Sequence, residues 1–204
     1  MSLVKGPDGQ PRCWWGTSTP DYLSYHDTEW GRPVTDDRGV YERLCLEAFQ
    51  SGLSWLTILR KRENFRAAFA DFDFEAVAKF SDRDVERLMG DAGIVRNRAK
   101  IEATVANGRA TAQMSAQGES LARLMWSFAP DGPTAARALE ELASTTPESK
   151  ALAKELKLRG FRFVGPTTAY AAMQACGVVN DHLVGCVVRD RVDAERKAAL
   201  ASVG

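Results

Sequence analysis

An all-α fold is what this 204-residue sequence predicts. Three observations lead there: apolar residues recur at helical spacing in several segments, those segments are bounded by serine caps and glycine stops, and no alternating run is long enough for a strand. A content of 45% apolar and 26% charged residues is that of a globular domain, and the length suits one domain with a sizeable core.

In chain order, "MSLVKGPDGQPR" carries Gly6, Pro7, Gly9 and Pro11 without an apolar period. It reads as a flexible arm over residues 1–12, with ordered chain starting near Cys13. Residues 37–50 place Val40, Leu44, Cys45 and Ala48 on one helical stripe, stopped by Gly52. "SWLTILRKRENFRAAF" predicts the next helix. "SDRDVERLMGDAG" opens on a serine cap and closes on glycines, and "VRNRAKIEATVANGRATAQM" continues as a longer helix with Ile101, Val105 and Ala112 in period. "SLARLMWSF", "ESKALAKELKLRG" and "TTAYAAMQACG" add three more, the last two ended by Gly160 and Gly177. "APDGPT" at 129–134 is the loop-like break, and "RDRVDAERKAALASVG" at 189–204 is a tail without an assigned role.

Lys+Arg and Asp+Glu number 27 each, which argues against a general polyanion binder but leaves room for a locally basic face. No signal peptide and no run of membrane-spanning length is visible, so a cytosolic protein without membrane contact is expected. Cys13, Cys45, Cys176 and Cys186 are too few and too scattered for a secreted disulfide scaffold. In a reducing compartment they read as metal ligands or buried thiols.

The chain has two histidines, and each has a cysteine nearby. His182 and Cys186 in "VVNDHLVGC" stand four residues apart, a spacing that shares a helix face. Cys13 and His26 supply a second pair, and together the four would close a structural zinc site. Spacing does not show that the pairs meet, and a histidine on an apolar face is often a core residue. Cys45 and Cys176 sit on apolar helical faces and read as core.

"DAGIVRNRAKI" puts a tight turn before a helix, followed by Arg96, Arg98 and Lys100. Free amides at a helix start attract phosphate, and "RKRENFR" and "KLRGFR", the latter with Arg159, could extend a backbone track; an ordinary turn on a solvated face is the alternative. Glu47 lies inside an apolar helical run just before Trp55, either at a rim or in a pocket. Trp14, Trp15, Tyr22, Tyr25 and Trp30 crowd one short span, which suits either core or a flat, polarizable ligand.

"YHDTEWG", "CLEAFQSGLSWLTILRKREN", "DVERLMGDAGIVRNRAKI" and "LRGFRFVGPTTAYAAMQACGVVNDHLVGC", in that order, make the chain resemble the DNA-3-methyladenine glycosylase I family of base-excision repair, within the helix-hairpin-helix superfamily. The resemblance spans about residues 13–188, the expected glycosylase domain. It implies a zinc clamp of Cys13, His26, His182 and Cys186, one ion per chain, joining the N- and C-terminal segments. It implies catalytic Glu47 as the carboxylate that meets the base, a hydrogen bond from Tyr25, stacking by Trp55, and Trp15 with Tyr22 closing the pocket. Leu53 would fill the gap left by the flipped nucleotide. Gly93, Ile94 and Val95 would grip a DNA phosphate with their amides, with Arg96, Arg98 and Arg159 on further phosphates. Val95 departs from the superfamily form G-h-G, so the turn must avoid a positive φ there, and Phe49 makes its stretch more apolar than the family pattern.

The implied reaction is hydrolysis of the glycosidic bond of 3-methyladenine in alkylated double-stranded DNA by a monomer, with water as nucleophile, free base as product and no strand cleavage. No aspartate occurs in "KIEATVANGRATAQMSAQGES", where the wider superfamily keeps a catalytic one. Two other classes were weighed. A DNA-binding module without catalysis would not need Glu47, Tyr25 and Trp55, and a zinc hydrolase would keep a ligand position open for water.

Overall fold

The structure, a computed structural model, describes residues 2–132 and 136–203. It is mostly helical, with ten α-helices among the described residues: α1 Pro20–Thr28, α2 Asp37–Gln50, α3 Trp55–Ala68, α4 Phe74–Ala78, α5 Asp82–Met89, α6 Arg98–Ala116, α7 Leu121–Trp126, α8 Pro147–Leu158, α9 Pro166–Ala175 and α10 Arg189–Val203. Among the described residues no helix is long and apolar enough to cross a membrane.

Local chemistry explains the helix starts. The side chains of Asp36, Ser54, Asn97 and Thr146 accept from the Gly39, Thr57, Lys100 and Ser149 amides at the starts of α2, α3, α6 and α8. Each cap satisfies an amide that the helix leaves without a carbonyl. The core forms where α2 packs on α3, α6 and α9: Leu44, Leu46, Phe49, Ile58, Phe65 and Ile101 have no exposed surface. Phe49 packs against Phe65 with ring centres 4.6 Å apart and planes tilted by 50°, and it has no exposed surface, so the residue that departs from the family pattern is core.

Four expectations change. The N-terminal arm forms a hairpin, β1 Leu3–Lys5 paired antiparallel with β2 Pro11–Cys13, because buried Arg12 anchors it by ion pairs to Asp27 at 2.9 Å and Asp8 at 2.6 Å. The tail is α10, which buries Arg189, Val192, Arg196 and Ala199 at helical spacing. His182 and Cys186 lie between α9 and α10 and not on a helix: the Cys186 amide donates to the Leu183 carbonyl at 2.9 Å, and Gly185 holds the turn with φ +92. Pro20–Thr28, not foreseen, is a helix capped by Thr19 with proline at its first turn. Of the break at 129–134, residues 133 and 134 lie outside the described residues.

Candidate functional site

Five elements converge on one cavity of about 350 Å³. The turn Trp14–Thr17 contributes Trp14 and Trp15, α1 Tyr22 and Tyr25, the end of α2 Glu47 and Gln50, the start of α3 Trp55, and α9 Ala171 and Gln174. Trp30 closes a corner, its ring 4.9 Å from Trp15 and at 84° to it. Tyr25 and Trp55 lie 5.5 Å apart, and Tyr22 stands edge-on to Trp15 at 5.6 Å. The Tyr22 hydroxyl accepts from the Leu56 amide at 3.0 Å, tying α1 to α3 across the mouth.

Glu47 is 7% exposed, and burial pushes its carboxyl up to about 8 against the opposing pull of Arg43. Burial, and then the Glu47 carboxylate, raise the Tyr25 hydroxyl well above its ordinary range, so it stays neutral. Trp14 and Trp55 carry buried Nε1 donors without a hydrogen-bond acceptor among the described residues. Aromatic walls, one carboxyl and unused donors suit a flat heteroaromatic ligand that satisfies them. Leu53 sits outside this lining, 42% exposed, in the short α2–α3 loop between Glu47 and Trp55.

The second constellation shares α1 with the first, since Tyr22 and His26 are one turn apart. The donor atoms of Cys13, His26, His182 and Cys186 all lie within 4.8 Å of one another, and all four residues are buried. His26 Nε2 is 3.2 Å from His182 Nδ1, while Cys186 Sγ is 3.5 Å from His26 Nε2 and 3.8 Å from His182 Nδ1, and Cys13 Sγ is 3.9 Å from His182 Nδ1. A tetrahedron with zinc-like bond lengths has edges of roughly 3.3 Å between nitrogens and roughly 3.6 Å from sulfur to nitrogen. The four residues fit such a metal ion.

The surroundings fix the same chemistry. His26 Nδ1 meets Asp27 Oδ1 at 2.8 Å and His182 Nε2 meets the Trp30 carbonyl at 3.0 Å, so each ring keeps its other nitrogen's lone pair for the centre. The Leu183 amide donates to Cys13 Sγ at 3.3 Å. Hydrogen bonding from Cys13 draws the Cys186 thiol down, and the same pairing with burial pushes Cys13 up, because two buried sulfurs cannot both be anionic without a cation between them. Gly16 passes so close to the His26 ring that a Cβ there would stand 2.6 Å from it. By contrast Cys45 and Cys176 are buried in the apolar core, which pushes each thiol up to about 12.

The turn at Gly93–Val95 between α5 and α6 has much of its polar capacity in use. The Gly93 amide donates to the Asp91 carboxylate at 2.7 Å, its carbonyl accepts from Lys61 and Asn64, and Ile94 is buried. Val95 avoids positive φ, as expected of a β-branched residue. The turn between α8 and α9 is more open. Phe163, 44% exposed, takes φ +58, a conformation more usual for glycine, and Gly165 follows two residues later. Among the described residues the amides of Phe163, Val164 and Gly165 have no hydrogen-bond acceptor. Lys150, Lys154, Lys157 and Arg162 line the groove beside them, which reaches Ser51 of the Leu53 loop.

The predicted arginines are split. Arg96 and Arg98 stand at the start of α6; Arg98 pairs with Glu86 at 2.6 Å and Glu102 at 3.8 Å. Arg159 pairs with Glu119, just past the C-terminal end of α6, and with Glu155 at 3.0 Å.

A family model described as methyladenine glycosylase matches residues 15–190. The chain is 52% identical over 177 residues to DNA-3-methyladenine glycosylase 1 of Escherichia coli (strain K12), covering 86% of this chain and 95% of that one. The chain belongs to the methyladenine glycosylase family. A crystal structure of 3-methyladenine DNA glycosylase I superposes with a TM-score of 0.84 at 51% identity, over 86% of this chain and 98% of that one. The Staphylococcus aureus 3-methyladenine DNA glycosylase I, in a structure concerned with recognition of 3-methyladenine, superposes at 0.82 with 36% identity, over 87% and 96%.

For this methyladenine glycosylase family member, sequence reasoning missed Gln174 and Ala171, which stand in "TTAYAAMQACG", a stretch read only as a helix ended by Gly177. It also missed the open turn Phe163–Gly165, whose positive φ at a phenylalanine has no signal in the sequence.

Glu47 makes stability depend on pH. Its folded value of about 8 lies above the ordinary 4.5, so the folded state keeps a proton that the unfolded chain has already lost. Folded-state stability therefore declines as pH rises through that window, by about 1.4 kcal/mol per unit at most. Denaturant titrations between those limits should show this slope in the parent and a flatter one in Glu47→Gln, with the variant the more stable of the two at the alkaline end.

Proposed function

We propose that the protein hydrolyses the N-glycosidic bond of 3-methyladenine in alkylated double-stranded DNA. The observation that carries this reading is Glu47, a buried carboxyl facing an aromatic cavity of about 350 Å³ in a member of the methyladenine glycosylase family. Methylation at N3 fixes a positive charge on adenine while its N9 is bound to the sugar. That charge weakens the glycosidic bond and supplies the feature by which the base is selected.

The flipped base would lie among Trp55, Tyr25, Tyr22 and Trp15, whose ring faces favour a cation. Glu47, ionised opposite that cation, accepts hydrogen bonds from it, and Tyr25 supplies a neutral hydroxyl. As the C1′–N9 bond breaks, its electron pair goes to the base and cancels the positive charge. Water then bonds to C1′ and loses its proton, leaving an abasic site and neutral 3-methyladenine. The cavity lining contains no lysine amine to form a covalent intermediate with the sugar, which supports water as nucleophile and no strand cleavage. Undamaged adenine is neutral and gains little there.

Zinc is the ion that two thiolates and two imidazoles in tetrahedral spacing suit, and Cys13, His26, His182 and Cys186 would hold it. With four protein ligands it would cross-link chain segments and take no part in hydrolysis. Backbone contacts to the duplex fall to the two turns flanking the Leu53 loop. The free amides and lysines at Phe163–Gly165 support that turn over Gly93–Val95 as the phosphate-gripping hairpin, and the exposure of Leu53 beside the cavity supports its filling the vacated stack.

Release of free base from alkylated duplex DNA, resolved by chromatography, tests the activity; absence of released 3-methyladenine would overturn it. The backbone contacts have their own test in fluorescence anisotropy across a salt series. Arg96→Ala and Lys154→Ala should each weaken binding about equally on unrelated duplexes and lower the salt slope by about one contact. Arg159→Ala, which removes a side chain already paired with Glu119 and Glu155, should lower the slope less than either.

A further inference from the structure

Gln174 lines the base cavity from α9, one helical turn beyond Ala171. Its amide nitrogen donates to Asp181 Oδ2 at 2.6 Å. The same oxygen accepts from the Tyr170 hydroxyl at 2.8 Å, and Asp181 is 2% exposed. A carboxylate only accepts hydrogen bonds, so it must face the NH₂ end of the glutamine. That fixes the amide, which could otherwise be turned over, with Oε1 directed away from Asp181. Among the described residues Oε1 has no hydrogen-bond donor, and it keeps exposed surface on a side chain that lines the cavity.

The geometry points to Gln174 as a specificity-determining residue that, oriented by Asp181, presents an acceptor to the 6-amino group of the flipped purine. This inference rests on the proposed function. Adenine carries a donor at position 6 and guanine an acceptor. With Oε1 and Glu47 both accepting, 3-methyladenine is satisfied, whereas the O6 of 3-methylguanine would meet another oxygen. A site built to accept from a donor rejects an analogue that cannot give one, because the site's own polar group is left unpaired. Positive charge does not make this distinction, since both N3-methylated purines are cationic in DNA.

Duplex DNA methylated with dimethyl sulfate contains both lesions, and initial rates of release of the two bases can be read in one chromatogram. Gln174→Met keeps the length of the side chain and removes the acceptor; it should slow 3-methyladenine release about tenfold while 3-methylguanine release changes little, so the ratio falls about tenfold. Asp181→Asn leaves Gln174 in place but allows its amide to turn over, and should lower the same ratio. A parent enzyme that releases no 3-methyladenine would count against the proposed function itself. A parent that does release it, with both rates falling by the same factor in both variants or with the ratio unmoved, would overturn the role of Gln174.

Discussion

Glu47→Gln is expected to lower kcat/KM for excision of 3-methyladenine from alkylated duplex DNA roughly 100-fold, the scale of one hydrogen bond to a charged group, about 2–3 kcal/mol. Glutamine keeps the size and one oxygen of the side chain and removes the charge. The loss should sit in capture of the cationic base: affinity for undamaged duplex, set by backbone contacts elsewhere, should not change. A second signature separates this role from a merely structural one. In the free enzyme burial pushes the carboxyl up to about 8, so at neutral pH most molecules must lose that proton before the carboxylate can face a cation. The parent's kcat/KM should therefore rise with pH toward that value and level off above it, as expected for ionisation of a free-enzyme group. Glu47→Gln should lack this limb. Equal excision by variant and parent at every pH would make Glu47 a wall residue and remove the recognition argued from it.

Legibility of the sequence tracked where side chains point. Helices α2, α3, α5, α6, α7, α8 and α9 were foreseen because their apolar stripes face the protein core and their ends carry caps or glycines. α1 was missed although Thr19 and Pro20 mark its start, because Tyr22, Tyr25 and His26 face a cavity and a cluster that could hold a metal, and polar-tipped residues leave no apolar period. α10 was missed for a related reason: Arg189 and Arg196 occupy stripe positions that period-reading reserves for apolar residues. Arg196 is held there by donating to the Val178 carbonyl at 2.7 Å. The four-residue spacing of His182 and Cys186 suggested a helix, but a turn with one glycine at positive φ brings the same two side chains together. The ligand set was readable without the correct local structure because two histidines and two nearby cysteines leave few combinations. The Phe163 turn was not readable, since its positive φ is a backbone property that phenylalanine rarely signals.

His182→Ala should lower bound metal and melting temperature together, by on the order of 10 °C, with excision per folded molecule much less affected. The cluster joins three parts of the chain: β2 through Cys13, α1 through His26, and the α9–α10 connection through His182 and Cys186. A bound ion holds β2 to the last connection and so closes nearly the whole chain into a loop, which removes entropy from the unfolded state. Binding to the folded state alone adds its free energy to folding, and a shift of several kcal/mol in a chain of this length corresponds to roughly 10 °C. Without the ion, buried sulfurs and imidazoles face one another with no charge to balance the thiolates. Trp15 stands edge-on to His26 with ring centres 5.2 Å apart, so loosening the cluster also loosens one wall of the cavity. Because alanine also leaves a cavity at a residue with no exposed surface, the parent treated with a chelator is the cleaner comparison. It should melt early, like the variant, and recover when zinc is returned, whereas the variant should not recover. If the parent stripped of metal melts where the loaded protein does, the four residues do not fasten the chain, and their tetrahedral spacing must be explained by packing alone.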